Sequence, residues 1–295
     1  MVGAGTQDNP LVCYTASELH YALQQSGAYI KLGREIDCNE DLRSWPKCTV
    51  LAKKLDLNNF DLLNIYAEND SVAFDISKLK EQFVVKNGRI LNMILLNSAL
   101  TSGNTTLYAI KFNDIGLVAH ITGATTADGG YVFGRGVHFD YCNIKIDCTF
   151  SKSGHHLIDG NGEVNKGAKF NDSKLVVDID KNYGSAFDAY YHGVGVTGNF
   201  YNSRVEVVAR KEIKKSDGFY PMGVYGMCDN SVFDIDYTGT TPENVCPTNL
   251  IKGVNIYNAE RFPVLTANAG MIGMTAEQMK DADYLNSVGF YCEKV

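Results

Sequence analysis

The sequence predicts an all-β fold, a single-stranded parallel β-helix (solenoid) of about eight coils with a short helical cap at each end. Three observations predict it. A turn motif, seen as "FNDI", "FNDS", "FYNS" and "CDNS", returns every 27 to 31 residues. Alternating apolar residues follow each copy, which is strand periodicity. The two ends lack the motif and carry helix-start signatures instead.

Bulk composition restricts the classes. Of 295 residues, 45% are hydrophobic and 21% charged, and no apolar run approaches the roughly 20 residues that span a bilayer. A folded chain without membrane insertion is expected. The formal net charge is −7, with Lys and Arg scattered along the chain, so no nucleic-acid partner is expected. The opening "MVGAGTQDNPLVCY" has neither a basic segment nor an apolar stretch, which predicts synthesis in a cytoplasm without a signal peptide. The eight cysteines show no CxxC pair and no metal-ligand spacing with histidine, so free, packed thiols are expected, with no metal and no cofactor.

Residues 1–56 read as an arm, a capping helix and an incoming strand. Thr15 with Glu18 forms a capping box ahead of "ASELHYALQQSG", an amphipathic helix that presents Leu19, Ala22 and Leu23 and stops at Gly27. "YIKLGREIDCN" then reads as a strand entering the stack. Trp45, before Pro46, reads as a packing residue. Residues 57–264 hold the repeat. Units beginning at Leu57, Val85, Phe112, Phe139, Phe170, Phe200, Cys228 and Ile256 all start on an apolar residue or a thiol. Their third position is Asn59, Asn87, Asp114, Asp172, Asn202, Asn230 or Asn258, with Tyr141 the exception. The fourth is mostly small, and the sixth is apolar in every unit but the last. An Asx-small pair is turn chemistry, and identical positions stacked about 4.8 Å apart let side-chain amides bond along the axis. Residues 265–295 form a C-terminal helical cap in which Thr275 with Gln278 opens "AEQMKDADYLNSVGF". Caps at both ends hide the edges an open stack would expose.

The helix and strand "SELHYALQQSGAYIKL", the coil period and the turn ladder together resemble the pectate-lyase-like right-handed parallel β-helices, over about residues 15 to 262. That family includes polysaccharide lyases and galacturonases, and also phage tailspikes and other virion proteins that contact host glycans. The resemblance implies right-handedness and, by analogy with spikes of this build, a homotrimer. Fold alone does not choose among these activities.

Two constellations are candidate sites. At the ninth position Asp147 and Asp178 fall on adjacent coils. They would form a catalytic carboxylate pair if the protein is an enzyme, or simply solvated strand-end residues. None of the family's catalytic motifs matches here residue by residue. In the two longest units Asp159, Phe187, Asp188, Tyr190 and Tyr191, with Tyr220 in the next, combine flat rings with carboxylates. That suits sugar rings, and the same rings would equally serve as core of a third strand. The adjacent His155 and His156 point to opposite faces if they lie on a strand, which disfavours zinc.

Three functional classes follow. The first is a structural virion protein of a phage (tail fibre, spike or capsid fibre), partnered by other virion proteins and attaching to a host glycan. The second is a lyase or glycoside hydrolase acting on acidic polysaccharide, and the third a bacterial surface adhesin module.

Overall fold

The computed structural model describes residues 1–69, 71–102, 110–122, 131–133, 136–149, 156–158, 168–179, 199–209, 227–237, 250–260 and 271–290. Three walls of parallel strands build a β-solenoid. The first wall stacks Leu11–Cys13, Tyr29–Leu32 and Lys54–Asp56 on the leading half of Phe83–Leu96 and of Ile110–Thr122. It continues through Val137–Asp140, Lys169–Asn171, Asn199–Tyr201, Met227–Asp229 and Leu250–Lys252. The second wall follows the corner in each layer, from Ile36–Asp37 to Met271–Met274. A third wall has four short strands, Val72–Phe74, Ala99–Thr101, Tyr131–Phe133 and His156–Ile158.

The solenoid makes about five turns, which corrects the expected eight. The sequence repeat marks the corner between the first two walls and carries no marker for the third. Among the described residues that wall has four strands, while the first two walls run on through ten layers of pairing. Parallel pairing also reaches beyond residues 57–264 in both directions, to Leu11 and to Met274.

The corner between the first two walls explains the repeat. Asn59, Asn87, Asp114, Tyr141, Asp172, Asn202 and Asn230 all have left-handed backbone, with φ between 46° and 62°. Asn and Asp tolerate that conformation because their short polar side chains bond locally. The corner N–H groups bond up the stack: Asn202 N–H donates to Asp229 O at 2.9 Å and Asp172 N–H to Tyr201 O at 3.0 Å. The Asn202 amide donates to Asp172 Oδ1 at 3.3 Å.

Asn258 does not belong to this column. Ile256 pairs with Val232, and the Asn258 amide donates to Asp234 Oδ1 at 3.0 Å, one step along the second wall. The corner in that layer is Gly253 (φ +62°), where an added Cβ would lie 2.4 Å from Asn230 Oδ1. A glycine reaches this backbone without the side chain that marked the other corners. At the other end Leu55, not Leu57, pairs with Val85, because the first corner carries two extra residues.

Stacked columns fill the interior. Phe112, Phe139, Phe170 and Phe200 are buried, with ring centroids 5.1, 4.9 and 5.0 Å apart and near-parallel planes. Leu62, Ile90, Leu117, Ile144, Leu175, Val205 and Phe233 form a second buried column. Behind the corner lies a polar one. The N–H of Cys142 donates to Ser173 Oγ, that of Ser173 to Ser203 Oγ, that of Ser203 to Ser231 Oγ, and that of Ser231 to Asn255 Oδ1, at 2.9 to 3.3 Å. Each bond satisfies a buried N–H that the turn removes from the strand ladder.

Both caps form. Helix α1 (Ala16–Leu23) buries Ala16, Leu19, Ala22 and Leu23, and its first turn is capped by Thr15 Oγ1 and by Asp41, which accepts from the N–H groups of Ala16 and Ser17. Trp45 is buried, its Nε1–H donating to Ala73 O at 2.9 Å. At the C-terminal end the Thr275–Gln278 capping box closes reciprocally, but around one 3-10 turn (Gln278–Lys280). Helix α2 (Ala282–Ser287) then restarts on Asp281, so the expected single helix is two pieces. No helix of the described residues is long and apolar enough to cross a membrane. Cys13, Cys38, Cys48, Cys142 and Cys148 are free and buried, and burial pushes the Cys13, Cys48 and Cys142 thiols up to about 12.

Candidate functional site

Strand alternation turns every second side chain of the first two walls outward, and parallel register lines those side chains up in columns. On the second wall Asp147 pairs directly with Asp178 in the next layer. His120, one layer before Asp147, brings Nδ1 to 3.1 Å from Asp147 Oδ2, while Lys145 Nζ lies 3.9 Å from Oδ1. Val208 follows Asp178. The result is a partly exposed imidazole–carboxylate–carboxylate column. Layer spacing of about 4.8 Å is short of the ~6.5–9.5 Å that an inverting pair of carboxyls uses. Asp159, Phe187, Asp188, Tyr190, Tyr191 and Tyr220 lie outside the described residues.

The first wall carries a denser polar cluster that sequence reading missed. His138 Nε2 lies 2.9 Å from Asp140 Oδ1, the Asn171 amide donates to the same oxygen at 2.9 Å, and the Lys111 ammonium pairs with Asp140 Oδ2. Lys169 Nζ sits 4.7 Å from the centroid of the Tyr201 ring. His138 is 9% exposed. Burial, reinforced by Lys169 and Lys111 and opposed by Asp140, lowers its pKa to about 4, so the ring is neutral at physiological pH. The signal was present in the residues just before and after each unit start, and it becomes visible only when the units are written in register.

At the corner itself Tyr141 stands out. It is 65% exposed, has φ +54°, and lies between Asp114 and Asp172 in a column otherwise built of Asn and Asp and ended by Gly253. Compared with known protein families, with curated proteins and with solved structures, the chain matches none.

Proposed function

We propose that the protein is a structural component of a phage virion, a tail fibre, spike or capsid fibre. In this reading it is a right-handed β-helix of the pectate-lyase-like type, assembled as a homotrimer with other virion proteins and able to hold a host glycan. The observation that carries the reading is the recurrence of left-handed corners in register with a stack of four phenylalanines, an arrangement that suits a stiff shaft built along one axis. Right-handedness accords with the strong preference of parallel crossovers. The test is labelling of purified particles with an antibody against the chain. Gold at a fixed position on the particle, with a trimer on chemical cross-linking, is the expected result, and unlabelled particles reject it.

A second reading, a lyase or hydrolase acting on acidic polysaccharide, is favoured by the direct pairing of Asp147 with Asp178 beside His120. Incubation with polygalacturonate then releases new reducing ends or unsaturated products, and Asp147→Asn abolishes them.

A further inference from the structure

Lysines that look scattered in the sequence come together on the first wall. One outward column runs Tyr29, Lys54, Val84, Lys111, His138, Lys169, Asn199. The column beside it runs Lys31, Asp56, Lys86, Asn113, Asp140, Asn171, Tyr201. Five lysines face two aspartates across these layers, a local excess of positive charge on a chain whose formal net charge is −7. Asp56 pairs with Lys86 at 3.1 Å and Asp140 with Lys111. Burial, and then the charge of Lys86, lower the pKa of Lys54, with Asp56 only partly compensating. Crowding of this kind costs folding energy that a bound anion would offset.

We propose that this stripe, from Lys31 to Lys169, binds a linear anionic polysaccharide laid along the rod axis. The inference rests on the glycan-attachment part of the reading above and gives it a surface and a charge class. The geometry suits a polymer, because the lysines recur at a pitch of about 4.8 Å per layer or a multiple of it. Flexible ammonium groups tolerate carboxylate or sulfate at variable spacing. Tyr29 and Tyr201 lie at opposite ends of the stripe, where ring faces suit the C–H faces of sugars. Neither column contains arginine, the residue that grips phosphate bidentately, so nucleic acid is the poorer fit.

The full chain is passed at low salt over immobilised dextran sulfate, polygalacturonate, uncharged dextran and poly(dT). Retention by one or both acidic polysaccharides but not by dextran is expected, and the matrix that holds to higher salt identifies the anionic group. Lys31→Gln with Lys54→Gln weakens binding about tenfold and shallows the salt dependence by up to about two charges. Lys280→Gln, in the C-terminal cap, leaves binding unchanged, and matching melting curves show that all variants fold. Passage of the unmodified chain through both acidic matrices overturns the proposal. So does equal loss in Lys280→Gln, or stronger retention on poly(dT) than on either polysaccharide. Particle labelling is read independently, so either reading can fail without the other.

Discussion

Single side chains set the local energetics of the corner. Tyr141 holds left-handed backbone without the short polar side chain that makes this conformation cheap, and most of its ring faces solvent. Tyr141→Asn is expected to stabilise the fold by about 1 kcal/mol, read as a rise of about 2 °C in thermal midpoint. His138 makes a different prediction, about pH. Its folded pKa of about 4 lies below the ordinary 6.5, so between these values the unfolded chain binds a proton that the folded chain refuses. Its contribution is therefore complete above pH 6.5 and is lost as pH falls towards 4, on the order of 2–3 kcal/mol. Denaturant melts across that window should show the slope, and His138→Gln should flatten it. Asp75 acts lower. Burial opposes its charge, but hydrogen bonds from Ser77, Ser102 and Lys47 outweigh that and hold its pKa below the usual carboxylate value, so its contribution is lost only under more acid conditions.

At the level of strands and turns, the serine column joins each layer to the next. Ser203→Ala leaves the buried N–H of Ser173 without its acceptor and is expected to cost about 1–3 kcal/mol in chemical denaturation. Ser203→Cys should lose less, since Cys142 already occupies the same column. The corners were legible in the sequence because an Asx residue in left-handed backbone is local chemistry, repeated often enough to align. The last corner was misplaced onto Asn258 because Gly253 does the same work with no side chain to see. The third wall was not legible. Its described strands are each just 3 residues long and share no marker residue. The carboxylate pair was legible because Asp147 and Asp178 hold the same position in consecutive units. The lysine stripe was missed because its members, from Lys31 to Lys169, are neighbours only after the chain has wound past itself.

Across the whole molecule, the two long walls differ in charge. The first gathers lysines, while Asp147, Asp178, Glu206 and Asp234 stand along the second beside Lys145, Lys174 and Arg204, with Lys174 and Arg204 both paired to Glu206 at 3.1 and 2.6 Å. A rod with such flanks can present different chemistry to different neighbours without changing shape, which suits a component held within a larger assembly. The repeated corner also has a consequence for how such a protein changes over time. Because the storeys pair in register along both long walls, the shaft lengthens or shortens by whole storeys, while a corner can take in a residue or two, as the first one does. Duplication of one period lengthens the shaft by a fixed increment and leaves the ends untouched, whereas a deletion of half a period throws every later side chain out of line. The chain is in effect a ruler whose graduations are its turns.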